Sequence, residues 1–415
     1  MSTAPSSGLP PLAGIRAALR RTTEHLAMEI HAPTASAPDW SPLEWAVARA
    51  VSAMQGITVL LANRLRWRGP ASWQDCLAAQ RELAMRRDEC IGTLLSRIDA
   101  ALRTGGVACV GLKGTALRRH SFYLPGERPM GDIDLMTAPR DDHRVARILQ
   151  HLDYQRAFES ERHVVYSPHA CAPTVNFGEH PDNALKIEVH AKVSERLPIE
   201  EVGISVGWLD GAVPGINAYP ADAELLRHLL LHAAGNMRAH ALRLIQLHDI
   251  AALAARLDET GWQRLLETSA SRGGAWWMWP PLALASRYYP GAVEPEHLAA
   301  VGAHCPPLLR RVAARITLTE VSWSNLRIAA FPGIYWSRST LDALRFARSR
   351  ILPSRVALDD LRNTMAAQPS PDSSAWYGIS HLHRILRWTL ARAPRAQTMM
   401  SLRAALAADG TSLNA

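Results

Sequence analysis

The stretch Leu185–Val193, LKIEVHAKV, alternates apolar and polar side chains at every step. A period of two marks a β-strand with one covered face and one open face. Leu185, Ile187, Val189, Ala191 and Val193 make the apolar face; Lys186, Glu188, His190 and Lys192 make the polar one. Such a strand has no independent stability. It needs neighbours for its backbone groups and a second layer over its apolar side. The other strand-like segments lie close by. VACVGLK (107–113) is a short apolar run, GDIDLMT (131–137) alternates, and HVVYSP and PTVNF are short and bounded by Pro or Gly.

Elsewhere the period is helical. GIRAALRRTTEHLAMEI, the run from Ser41, a stretch from Ser72 to about Thr104, and RDDHRVARILQHL (140–152) carry apolar residues three and four apart. After Pro220 the chain reads as helices to about Leu352. This predicts an α+β fold: a small mixed β-sheet core with helices before it and a largely α-helical C-terminal region. The expected divisions are a flexible N-terminus with a short helix (1–40), a helical region (41–104), the α/β core (105–195), a helical region packed on it (196–367), and a flexible break with a basic C-terminal helix (368–415).

Bulk properties narrow the class. The 46 basic against 38 acidic residues give a net charge of +8, which suits an anionic ligand but equally a solvated surface. The five cysteines are odd in number and widely spaced, without a Cys-x-x-Cys pair. That argues against a disulfide framework or a structural zinc site and favours a reducing cytoplasm. The N-terminus lacks the pattern of a secretory signal, and no run of 18 apolar residues is present.

The chemistry concentrates at Asp132 and Asp134. Two residues apart on a strand, both carboxylates face the same side, with Cα atoms about 7 Å apart. Acids held that close raise each other's pKa, and a hard divalent cation such as Mg²⁺ relieves the repulsion. Glu188 lies 54 residues after Asp134 (188 − 134), on the polar face of the LKIEVHAKV strand, and offers a third carboxylate. Lys113, Gly114 and Thr115 stand where VACVGLK gives way to an expected helix, ALRRHSF. There a glycine and a helix N-terminus can cradle a phosphate. Arg128, in a Pro/Gly turn four residues before Asp132, is a candidate bidentate phosphate ligand. His190 shares the face of Glu188, to touch a phosphate, orient Glu188, or serve as a hydrogen-bonded structural histidine.

Gly-Leu-Lys-Gly-Thr-Ala-Leu (111–117), Arg-Pro-Met-Gly-Asp-Ile-Asp-Leu-Met (128–136) and Ile-Glu-Val-His (187–190) together resemble the uncharacterised nucleotidyltransferase family of the DNA polymerase β-like superfamily. Gly114 matches the family's glycine, Asp132 and Asp134 its metal-binding pair, and Glu188 its third acid. Thr115 replaces the usual serine. The resemblance covers about 105–255, with His232 and Asp249 in the matching helical text. It implies a sheet with Asp132/Asp134 and Glu188 on neighbouring strands, Mg²⁺ or Mn²⁺ held by these acids, and a nucleoside triphosphate donor. It also implies transfer of a nucleotidyl group to an acceptor, with loss of pyrophosphate. A small molecule or peptide is the favoured acceptor. RNA modification, phosphodiester hydrolysis and nucleotide binding without catalysis are the alternatives.

Other features have plainer readings. His163 opens a strand and reads as structural. His232 and Asp249 read as a helix-packing pair or as walls of an acceptor pocket. Trp276, Trp277 and Trp279 read as core. The C-terminal Trp376–Arg403 stretch, with Arg384, Arg387, Arg392, Arg395 and Arg403, reads as a solvated helix face, with nucleic acid or an anionic membrane surface as the alternative.

Overall fold

The computed structural model describes residues 10–120, 122–160, 162–170, 177–270, 276–327, 330–355, 358, 382–383, 386 and 394–407. Helix α1 (Leu12–His31) buries Ile15, Leu19, Leu26 and Ile30 on one stripe. The N-terminal region therefore holds a packed twenty-residue helix rather than the short one expected in a flexible segment. A reciprocal cap starts α2 (Pro42–Gln55): the Glu44 N–H donates to Ser41 Oγ at 3.3 Å and the Ser41 N–H to the Glu44 carboxylate at 2.8 Å. Gly56, at φ 68°, ends it in the left-handed conformation. α3 (Thr58–Arg64) follows. The 34-residue α4 (Ala71–Thr104) then carries Ile91, Leu94, Ile98 and Leu102 along one side.

The strands are β1 (Ala108–Gly111), β2 (Asp132–Thr137), β3 (Tyr154–Glu159), β4 (His163–Pro168), β5 (Lys186–His190) and β8 (Gly215–Asn217), in the order β3-β4-β5-β2-β1-β8. A separate small hairpin pairs β6 (Ser194–Arg196) with β7 (Glu201–Gly203). β2 runs parallel to β5 and antiparallel to β1; β4 is antiparallel to β5, and β8 is parallel to β1. The sheet thus extends beyond the expected 105–195 span, since β8 completes its edge beside β1. Between β1 and β2 lies α5 (Lys113–Leu117), and α6 (Asp142–His151) follows β2. The helix expected over ALRRHSF shrinks to the five residues of α5. Of PTVNF, residues 173–176 lie outside the described residues.

Alternation along β2 and β5 sorts the two faces. Ile133, Leu135, Ile187 and Val189 point into an apolar cluster with α4 and with Val145 and Leu149 of α6. Each such side chain, fully buried, contributes roughly 1.5–3 kcal/mol. Asp132, Asp134, Glu188 and His190 are left on the opposite face, toward α7 (Asp222–Ala239) and α8 (Leu244–Ala254).

The remaining helices are α9 (Glu259–Ala270), α10 (Trp279–Tyr288), α11 (Pro295–Ala303), α12 (Pro307–Ala313), α13 (Leu318–Val321), α14 (Thr340–Ile351) and α15 (Ala396–Ala407). A second, larger apolar cluster links α1, α2, α7, α8 and α10 with Val110, Leu112 and Met136 of the sheet, so the helical flanks and the sheet share a core. Trp276 and Trp277 are buried in it. α15 also docks there through Met399, Leu402 and Ala405, and Arg49 of α2 donates to the Ala405 carbonyl at 3.0 Å. Of the basic C-terminal stretch, Arg384, Arg387 and Arg392 lie outside the described residues. Arg395 is folded in against Trp323, 3.8 Å from the ring centre, and Arg403 is exposed. No single helix among the described residues is long and apolar enough to cross a membrane.

Candidate active site

The polar face of β2 and β5 floors a cavity of about 330 Å³, walled by α7, by the start of α8 and by the 128–131 turn. Parallel pairing sets Asp134 directly opposite Glu188 and Met136 opposite His190. Asp132 shares the face, two residues before Asp134. The three acids expected to act together therefore line one cavity. Asp134 is buried (4% exposed) and held from two sides. The Lys113 ammonium lies 2.8 Å from its Oδ1, and His190 Nε2 lies 3.0 Å from the same oxygen. His190 also approaches Glu188 Oε2, at 3.6 Å. It thus bridges two acids from a buried position.

The charges are unevenly settled. Burial would protonate Asp134, but the Lys113 charge and the His190 hydrogen bond outweigh it and hold its pKa well below the usual carboxylate range. Glu188 is likewise lowered: burial opposes, and His190 at its side prevails. Asp132 goes the other way. Burial, then repulsion from Asp134 and Glu188, pushes it up to about 7. Lys113, disfavoured by burial, is kept protonated by Asp134, Asp132 and Glu188. His190 is raised, because its hydrogen bonds to the acids overcome burial, whereas burial lowers His163. Around Asp132 the acids Asp134 and Glu188 outweigh the cations Lys113 and Arg128, which leaves a local surplus of negative charge. That surplus, together with an all-oxygen donor set at Asp132, Asp134 and Glu188, fits a hard divalent cation.

Of the five phosphate-binding expectations, His190 stands between Asp134 and Glu188 instead, and the other four meet different outcomes. Gly114 lines the cavity, and a Cβ there would lie 2.6 Å from Arg128 Nη1, so only glycine lets that guanidinium pass. Lys113 sits at φ 46°, an uncommon conformation for a residue with a side chain, and reaches Asp134 instead of standing free for a phosphate. Thr115 is buried behind the cavity wall with its methyl group against Gly111, and its hydroxyl has no hydrogen-bond partner among the described residues. It faces away because it lies one residue further around the α5 turn. Arg128 is already engaged: Nε and Nη2 donate to Asp249 Oδ1 and Oδ2 at 3.1 and 2.7 Å. Tyr123 donates to the same carboxylate at 2.5 Å. Asp249 is therefore the partner of Arg128, not of His232.

Other wall residues carried no signal in the sequence. Arg243, at the start of α8, lines the cavity and donates from Nε to the Met54 carbonyl at 3.0 Å. No carboxylate lies within ion-pair distance of its guanidinium among the described residues, and burial lowers its pKa. Glu195 lies 3.0 Å from Arg162 and 3.8 Å from His232, packed against Gly235. His163, read as structural, pairs with His190 across β4 and β5, its Nε2 3.8 Å from Glu188. Its place in the cavity was recoverable only from the strand register.

A family model described as an uncharacterised nucleotidyltransferase matches residues 41–290. The chain belongs to this family. The match takes in α2 through α10 and hence the whole sheet and the cavity. No curated protein and no solved structure matches the chain. Family membership supports nucleotidyl transfer in general terms, and a cluster of candidate metal ligands lies in the cavity.

Proposed function

We propose that the cavity is a metal-dependent nucleotidyltransferase site, taking a nucleoside triphosphate as donor and a hydroxyl or phosphate of a small molecule or peptide as acceptor. The observation that carries this is the parallel register of β2 and β5, which sets Asp134 opposite Glu188 with Asp132 on the same face. Asp132, Asp134 and Glu188 would hold Mg²⁺ or Mn²⁺. When bound, the ion neutralises phosphate charge and lowers the pKa of an acceptor hydroxyl.

In the reaction, an acceptor oxygen forms a bond to the α-phosphorus and the bond to the β-phosphate oxygen breaks. Pyrophosphate leaves, and the acceptor's proton passes to a cavity carboxylate or to water. The protein's own groups position and screen. Lys113 keeps Asp134 ionised, and His190 fixes Asp134 and Glu188 relative to each other. Arg243 and the basic rim residues Lys192 and Arg162 are the groups toward which the triphosphate would lie. Arg128, tied to Asp249, shapes the wall beside Gly114. Positioning and electrostatics supply most of the rate in phosphoryl chemistry of this kind.

The test is pyrophosphate release from each common nucleoside triphosphate, with Mg²⁺ or Mn²⁺ and a series of lysate fractions as acceptor source. Wild type is expected to release pyrophosphate with one fraction, and Asp132→Ala/Asp134→Ala to release none. Equal background from both proteins in every fraction would overturn the proposal. Monophosphate formed without an acceptor would assign the site to hydrolysis.

A further inference from the structure

The sheet register assembles a second donor set, which shares Glu188 with the three acids and adds two imidazoles. β4 and β5 pair antiparallel with His163 directly opposite His190, and Glu188 lies two residues before His190 on the same face. One ligand atom from each of His163, Glu188 and His190 lies within 4.8 Å of the other two. Glu188 Oε2 stands 3.6 Å from His190 Nε2 and 3.8 Å from His163 Nε2, and the two imidazole rings are 4.9 Å apart between centres. Ligands about 2.1 Å from one ion lie about 3–4 Å apart, so small rotations of these side chains would close the set.

His163 supplies a second, independent observation. Among the described residues its Nδ1 is buried without a hydrogen-bond partner, and at 3.8 Å its Nε2 is too far from Glu188 for a hydrogen bond. A half-buried imidazole with neither nitrogen bonded, beside a carboxylate and a second imidazole, calls for a partner. Water at Nε2 would satisfy one nitrogen, but it would leave the convergence of all three groups unexplained.

We propose that His163, Glu188 and His190 form a second cation position, sharing Glu188 with the Asp132/Asp134 pair, for a borderline transition-metal dication of the Zn²⁺ or Co²⁺ class. Two nitrogens and one oxygen select such ions over Mg²⁺, which prefers oxygen ligands. The ion replaces the proton on His190 Nε2, now directed at Asp134. Three protein ligands leave coordination positions open toward the cavity, where a phosphate or acceptor oxygen can enter. Binding here does not depend on the nucleotidyl-transfer reading, because a catalytically silent protein would still bind the ion.

The experiment titrates metal-free full-length protein with Co²⁺ and follows its visible d–d absorption, then competes with Zn²⁺ or Mg²⁺. Wild type is expected to give an intense visible band that Zn²⁺ removes and an equal concentration of Mg²⁺ does not. His163→Gln should bind Co²⁺ at least ~10-fold more weakly and lose the band, whereas Asp132→Asn should keep it. X-ray absorption of Zn²⁺-loaded wild type, which needs no variant, should show the multiple-scattering signature of imidazole ligands. A wild-type Co²⁺ spectrum of the pale all-oxygen type, an unchanged spectrum in His163→Gln, or the absence of imidazole scattering around Zn²⁺ would overturn the proposal. Failure of pyrophosphate release alongside a nitrogen-ligated Co²⁺ spectrum would remove the transferase reading and leave this one standing.

Discussion

Replacing Asp249 with Leu tests whether the wall of the cavity is built on the Arg128–Asp249 pair. Asp249 is 1% exposed at its side chain and Arg128 14%, and two hydrogen bonds of 3.1 and 2.7 Å join them. Removing one partner of a buried pair leaves the other charge uncompensated, at a cost of about 3–5 kcal/mol. The Tyr123 hydroxyl, which donates to Asp249 at 2.5 Å, loses its acceptor as well. An orphaned buried donor adds about 1–3 kcal/mol. Asp249→Leu should therefore destabilise by about 5 kcal/mol, and Arg128→Met by about 4 kcal/mol, since Asp249 then keeps only Tyr123. The double variant removes both charges and leaves only Tyr123 unsatisfied, so its cost should fall to about 2 kcal/mol, below either single change. Urea unfolding followed by tryptophan fluorescence reads all three against wild type. A double variant as unstable as the sum of the two singles would refute the argument, because the groups would then act independently.

Three further outcomes follow from the same geometry. Gly114→Ala would place a Cβ 2.6 Å from Arg128 Nη1 and 3.1 Å from Met130 Cγ, and the melting temperature should fall by an amount matching about 1–3 kcal/mol of overpacking. Asp132, with its carboxyl pushed up to about 7, binds a proton in the folded state that the unfolded chain has released above pH ~4. Its contribution therefore makes metal-free protein less stable as pH rises from about 4 to 7, and Asp132→Asn should flatten that part of a stability–pH curve. Lys113→Met removes the ammonium that holds Asp134 ionised, so at pH 8 the metal-free variant should be less stable by about 3 kcal/mol. Added Mn²⁺ should recover more stability in this variant than in wild type, as read by thermal shift.

The sequence reveals this molecule unevenly, for physical reasons. β2 and β5 are legible because each has one apolar face, and period-two alternation records that directly. β3 is not: its Gln155, Arg156, Ala157 and Glu159 are exposed at the sheet edge, where no burial imposes a pattern. β8 is three residues long, too short for any period. The acids were readable because Asp-x-Asp on a strand fixes a shared face. Their partners depend on tertiary approach: Lys113 reaches Asp134 across 21 positions, Arg128 reaches Asp249 across 121, and Arg243 enters the cavity from a helix start. A basic side chain near an acidic motif reads as a phosphate ligand until a buried carboxylate from a distant helix comes into view. His163 shows the converse, since only the β4–β5 register brings it beside Glu188.

The most direct test of the central claim uses two preparations of the active nucleoside triphosphate, one labelled at the α-phosphate and one at the γ-phosphate. Each is incubated with wild type, a divalent metal and the acceptor fraction. Nucleotidyl transfer through the Asp132/Asp134/Glu188 site predicts α-label in the acceptor and γ-label in pyrophosphate, with both lost in Asp134→Asn. γ-Label in the acceptor, or α-label transfer unchanged in Asp134→Asn, would contradict the account.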